Sequence, residues 1–165
     1  MRLSHVEWSR DIPWRNLAAM VAPMLDIDTG RYPGWFTRLI TTACNLRRPS
    51  KRYVFGVAHH DPMTLPFEKN LVTSDRSRWE RMQALMLAQP FLRVYGPTFG
   101  WLGAALRSIR QVKRRGFPEE IVTPILIVAA GADRVVGTPA ERAYVKRLAK
   151  ANYVEIEGAE HEILM

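Results

Sequence analysis

Asp133 and His161 are the two side chains of this sequence whose types and settings could do chemistry together. Asp133 ends the turn Gly131-Ala132-Asp133, just past an apolar, β-branched run at residues 123–130. His161 ends the turn Gly158-Ala159-Glu160-His161, just past a second short run at residues 153–156. In parallel α/β sheets the loops beyond the carboxyl ends of strands are where reactive groups gather. A carboxylate that holds one imidazole nitrogen fixes the tautomer, and the other nitrogen can then take a proton from a hydroxyl nucleophile. The acid precedes the histidine by 28 residues, with one helix-period segment between them. That is the order of the last two members of a nucleophile–acid–histidine triad. The first member is not evident. Ser4, Ser9, Ser50, Ser74, Ser77 and Ser108 stand in no G-x-S-x-G turn, and Ser74 and Ser77 read as loop and helix-cap residues.

Other candidates are weaker. His59-His60-Asp61 has metal-ligand residue types, but adjacent residues project apart and no third ligand stands at a supporting distance, so no metal is expected. Nothing in the sequence calls for a cofactor. Cys44 lacks a neighbouring base and is expected to be buried. Trp79, Met86, Phe99 and Trp101 belong to an aromatic- and Met-rich stretch with near-helical spacing. Packing is their main expected role, and a wall against an apolar ligand is the functional one.

The elements that must position Asp133 and His161 follow from periodicity. Residues 17–22 form a continuous apolar run suited to a buried parallel strand, with Pro23 closing it. Residues 123–130 and 153–156 supply two more strands. Thr138-Pro139-Ala140-Glu141 predicts a helix start, with threonine as N-cap, proline in the first turn and glutamate reaching back. Between the first and second strands, residues 31–115 break the strand–helix rhythm and read as short helices joined by loops. Ser77-Arg78-Trp79-Glu80 predicts a capping box that opens a helix through about residue 88, which Gln89-Pro90 ends. A further helix is expected over about 100–113, and residues 1–10 read as the tail of another. The whole is an α/β chain with its core at 1–30 and 116–165 and a helical insertion at 31–115. Three strands are fewer than the five or six of an average sheet. The expectation is therefore part of a larger sheet, completed by further chain or by a partner.

Length and composition suit one soluble globular domain: 165 residues, 47% hydrophobic and 24% charged. No apolar stretch approaches the roughly 20 residues that span a bilayer. No signal-peptide apolar region opens the sequence, and a single cysteine fits a reducing compartment, so a cytoplasmic location is expected. The net charge of +8 comes from dispersed cations, with short clusters at Arg47-Arg48, Lys51-Arg52 and Arg107 to Arg115. No stacking motif or zinc-finger spacing accompanies them, so nucleic acid is not an expected partner. A solvated basic face is the expected reading of this charge, with peripheral contact to an anionic inner-membrane surface, at about 1 kcal/mol per basic residue, as the alternative.

The pattern Pro124-Ile125-Leu126-Ile127, then Gly131-Ala132-Asp133-Arg134-Val135-Val136, then Gly158-Ala159-Glu160-His161-Glu162 resembles the end of an α/β-hydrolase. The group it resembles is that of the lysophospholipases and monoacylglycerol lipases, also described as serine aminopeptidase-type hydrolases. Ala22-Pro23-Met24-Leu25-Asp26-Ile27 is similar to the strand end and loop preceding the cap in that group. Asn70 to Asp75 with Arg78, and Gly96 to Leu102, resemble its cap segments. The resemblance implies an incomplete α/β-hydrolase fold, the C-terminal half of a mostly parallel sheet carrying a helical cap. It implies that Asp133 orients His161, and that the substrate of the full-length relative is a lipid carboxylic ester. The group's serine elbow and oxyanion-hole loop would lie upstream of residue 17, so the 165 residues alone are expected to be inactive. Two alternatives stay open: a non-catalytic module that complements a partner, and a basic protein that binds membrane surfaces.

Overall fold

The computed structural model describes residues 17–27, 33–46, 50–55 and 61–164. The expected helical tail at 1–10 and the pair His59-His60 lie outside them. Three parallel strands form one sheet: β1 (Ala18–Val21), β2 (Ile125–Ala130) and β3 (Ala151–Ile156), in the order β1-β2-β3. Ala18 pairs with Ile125 and Ile125 with Ala151, so the strands start level; β2 and β3 end level at Ala130 and Ile156, and β1 ends two residues earlier at Val21, opposite Val128. Parallel strands need long crossovers. The first carries α1 (Gly34–Cys44), α2 (Arg76–Ala88) and α3 (Phe99–Lys113); the second carries α4 (Thr138–Val145).

β2 lies between two strands, which explains its unbroken apolar run: Ile127, Ala129 and Ala130 have no solvent contact. β3 is covered on one face and alternates accordingly, with Val154 and Ile156 exposed. The core gathers Leu25, Ile125, Ile127 and Tyr144, with Met20, Val112, Ile121, Val145 and Leu148 against them. Val112 brings the end of α3 onto the sheet. Arg147 fixes that end, donating to the carbonyls of Lys113 and Arg114, where a cation also meets the negative end of the helix dipole. α1 and α3 pack together, tied by Asn45, whose Nδ2 donates to the carbonyls of Thr41 (2.7 Å) and Phe99 (2.9 Å).

The strands and three of the helices stand where periodicity puts them, within one or two residues at most ends. Two caps differ. The cap of α2 is Asp75: its Oδ1 accepts from the amides of Ser77 and Arg78 and from the Ser77 hydroxyl. A carboxylate is a stronger acceptor than a hydroxyl, so the helix starts one residue ahead of Ser77 and the Ser77–Glu80 capping box does not form. At α4 the Thr138 hydroxyl donates to the Ala130 carbonyl (2.9 Å), so the first turn is anchored on β2 and not capped by its own side chain. Cys44 is exposed at the end of α1, contrary to its expected burial, because α1 turns its buried side at Thr41 toward α3.

Candidate active site

All three strand tips end in loops on one edge of the sheet, and each loop brings an ionisable residue: Asp26 after β1, Asp133 after β2, His161 after β3. The loops after β2 and β3 are joined by backbone. The Gly131 amide donates to the Ile156 carbonyl (2.9 Å) and the Ala132 amide to the Ala159 carbonyl (2.8 Å). This lacing sets Asp133 against His161 across neighbouring tips, with His161 Nδ1 2.8 Å from Asp133 Oδ2.

The Asp133 carboxylate is held on both oxygens. Oδ1 accepts from the amides of Val135 (2.7 Å) and Val136 (2.9 Å), which leaves Oδ2 for the imidazole. Its side chain is 1% exposed, that of His161 27%. A carboxylate accepting at Nδ1 assigns the proton to that nitrogen and leaves the lone pair on Nε2. Nε2 has no partner among the described residues. The arrangement can therefore take a proton at Nε2 and stabilise the resulting imidazolium with a fixed, water-excluded carboxylate. A groove of about 370 Å³ opens beside it, lined by Asp26, Ile27, Asp133, Val135 and Gly137 among others.

Glu141 adds a group that the sequence reading took for a helix-start residue. It is 1% exposed on α4, and neither carboxyl oxygen has a hydrogen-bond partner among the described residues. Burial, then repulsion from Asp133, pushes its pKa up to about 7; the His161 imidazole pulls the other way. Arg134 is a second group whose role the sequence did not show. It donates to Glu160 Oε1 (2.6 Å) and to the Asn70 carbonyl (3.0 Å), joining the acid loop to the histidine loop and to the insertion. Asn70 is itself buried, and its Oδ1 accepts from the amides of Val72 and Thr73. The Glu162 amide then donates to the Val72 carbonyl (2.8 Å), so the segment before α2 is clamped onto the loop of His161.

The four expected wall residues differ in exposure. Phe99 and Met86 are buried, Phe99 against the Phe55 ring. Trp79 packs edge-on to Phe67, its buried indole N–H without a partner among the described residues, and Trp101 is half exposed on α3. Asp61 is the described member of the doubtful metal trio; its Oδ1 accepts from the Met63 amide. Among the described residues no three His, Cys, Asp or Glu side chains form a group that could hold a metal, and no helix is long and apolar enough to cross a membrane.

Residues 6–165 match the model of a family described as serine aminopeptidase, S33. Lysophospholipase L2 of Escherichia coli K12 is 30% identical over 153 residues, covering 88% of this chain and 44% of that protein. A probable lysophospholipase L2 of Haemophilus influenzae is 27% identical over 126 residues, covering 76% and 39%. The chain thus spans less than half the length of these curated relatives. Among solved structures, a soluble variant of monoglyceride lipase from Saccharomyces cerevisiae superposes with a TM-score of 0.61 at 15% identity, over 88% of this chain and 45% of that one. The monoacylglycerol lipase of Paleococcus ferrophilus gives 0.58 at 16%, over 90% and 51%. These likenesses show a shared fold.

Proposed function

This chain belongs to the serine aminopeptidase family of α/β-hydrolases, and we propose that it carries the acid and the histidine of an esterase acting on lipid carboxylic esters. The observation that supports this reading is the 2.8 Å contact between Asp133 Oδ2 and His161 Nδ1 on the strand-tip edge of a parallel sheet. In the reaction, His161 Nε2 removes the proton from a serine hydroxyl as its oxygen bonds to the ester carbonyl carbon. It then returns that proton to the departing alkoxide as the ester C–O bond breaks, and repeats the exchange with water to free the acid. Asp133 keeps Nε2 available and offsets the positive charge. A lysophospholipid or a monoacylglycerol is the proposed substrate class, in keeping with the names of the relatives. Trp101, half exposed, is the proposed cap contact to substrate; Trp79, Met86 and Phe99 support it by packing.

The serine and the oxyanion donors are not among these residues as a G-x-S-x-G turn. The test joins this chain to an α/β-hydrolase front half that holds such a turn, by fusion or co-expression. Hydrolysis of lysophospholipid or monoacylglycerol by the pair, abolished by His161→Ala and absent from the 165-residue chain alone, is the expected outcome. Equal turnover with and without the imidazole would overturn the assignment. A second reading has its own observation. The outer edge of β1 pairs with no other strand among the described residues, and such an edge recruits one. On that reading the chain is a non-catalytic module, and it would co-purify with a sheet-bearing partner while His161→Ala changed nothing.

A further inference from the structure

We infer that the groove between α1 and α3 is a binding site for a phosphate group. The groove, of about 370 Å³, lies wholly in the helical insertion, so the inference does not depend on the esterase reading. Its walls carry Arg38 on α1 and Arg107 and Arg110 on α3, with Thr42 beside them. Arg107 and Arg110 are three residues apart on one helix and so share a face. A like-charged pair in that relation destabilises a helix by a few tenths of a kcal/mol unless an anion intervenes.

None of the three guanidiniums has a carboxylate or other hydrogen-bond partner among the described residues. Arg76, Arg134, Arg142 and Arg147 are matched by Glu68, Glu160, Glu155 and Glu119, whereas Arg38, Arg107 and Arg110 share one groove without a carboxylate. Three guanidiniums lining one groove with no carboxylate in its lining suit a tetrahedral oxyanion, which guanidinium groups grip bidentately. The Thr42 hydroxyl, also without a partner, can donate to a further oxygen.

Gly103 also lines the groove: a Cβ there would lie 2.8 Å from Asn45 Nδ2 and 3.0 Å from Thr41 Cγ2, so the glycine permits the close approach of α3 to α1. Asn45 is not available to the ligand, because both Nδ2 protons bridge α1 to α3 and Oδ1 accepts from the Ser50 amide (2.7 Å). The ligand is therefore read by the charge and fork geometry of the arginines. A phosphomonoester or phosphodiester fits this chemistry, whether on a lipid headgroup or on a soluble compound.

The test titrates the 165-residue chain, in phosphate-free buffer, with inorganic phosphate by calorimetry. The expected result is binding that weakens about fivefold for each of Arg38→Gln, Arg107→Gln and Arg110→Gln. Arg107→Lys should also weaken it, since an ammonium keeps the charge and loses the fork. Arg81→Gln removes the same charge from an exposed position on α2 and should leave binding unchanged. No binding, or equal weakening by Arg81→Gln, overturns the inference. Flotation with phosphatidylglycerol–phosphatidylcholine vesicles then identifies the source. Displacement by inorganic phosphate, lost together with Arg107, assigns the groove to a lipid headgroup; vesicle binding indifferent to Arg107 assigns it to a soluble phosphate compound.

Discussion

A Cβ on Gly131 would lie 3.0 Å from the Ile156 carbonyl oxygen and 3.2 Å from the Glu157 Cα, so the tips of β2 and β3 approach as they do because residue 131 has no side chain. Both obstacles are backbone and neither can rotate away. The Gly131 amide bond to that same carbonyl belongs to the lacing that sets Asp133 against His161. Gly131→Ala is therefore expected to lower stability by about 1–3 kcal/mol and to part the acid from the histidine. Chemical denaturation reads the first effect. The proton resonance of His161 Nδ1, shifted downfield when shared with a carboxylate, reads the second. A variant that keeps both would show that the tips have room to spare.

Asp133→Asn should separate holding the loop from orienting the imidazole. An asparagine oxygen can still accept from the Val135 and Val136 amides, so the fold is expected to survive. The amide nitrogen would then face His161 Nδ1 as a donor and drive the ring to its other tautomer. Nitrogen chemical shifts of the imidazole would report the proton moving to Nε2. In a completed enzyme the same change should lower turnover by about 10⁴-fold. Asp133→Ala, by contrast, strands the Val135 and Val136 amides at about 1–3 kcal/mol each where they are buried. An unchanged tautomer in the asparagine variant would contradict the role given to this carboxylate.

The strands were legible because each is a short apolar run stopped by a turn, and the central one is apolar on both faces. Asp133 and His161 were legible for a related reason: the parallel rhythm places successive strand ends on one edge, so two loop residues distant in sequence must be neighbours. What the sequence concealed were residues whose local pattern had a plausible helical meaning. Glu141 fits a helix's first turn by spacing, yet tertiary burial takes it out of water and leaves both oxygens unpaired among the described residues. Asp75 and Ser77 both have cap chemistry for different amides, and the helix starts where the Asp75 carboxylate accepts from Ser77 and Arg78. Arg134 sits in the turn as an ordinary cation until Asn70, 64 residues away, arrives beneath it. No periodicity encodes that meeting. α1 carried no start signal of its own, since Pro33 precedes it without a side-chain cap.

Arg134→Ala should loosen the clamp between the insertion and the histidine loop. It removes the bond to the Asn70 carbonyl and leaves the Glu160 carboxylate, 13% exposed and with Oε2 already unpartnered, without its cation. Removing a partner from a buried charged group costs more than the bond itself contributed. The expected consequence is local opening of residues 70–73 and 160–163. The Glu162 amide, donating to Val72, is the reporter: its hydrogen exchange should quicken about tenfold while amides of β2 exchange as before. Arg134→Lys should restore part of the protection through Glu160 alone. Uniform acceleration across the sheet would mean that Arg134 supports the whole fold and not this clamp.

Glu141 makes stability depend on pH in a direction opposite to that of paired carboxylates. Its carboxyl titrates near 4.5 when solvated and is pushed up to about 7 in the fold, first by burial and then by the neighbouring Asp133. Below pH 4.5 both states hold the proton and burial carries no charge penalty. Between about 4.5 and 7 the unfolded chain has released it while the folded one has not, so the folded state binds more protons and stability falls as pH rises. Above 7 the fold must hold a buried, unpaired carboxylate, and the accumulated loss is about 3 kcal/mol. Glu141→Gln keeps the shape and removes the titration. Urea unfolding across this range should give a flatter profile for the variant, equal to the parent at the acid end and more stable above pH 7. Parallel profiles would place the Glu141 carboxyl in contact with water or with a partner, and its burial would then not govern the pH response.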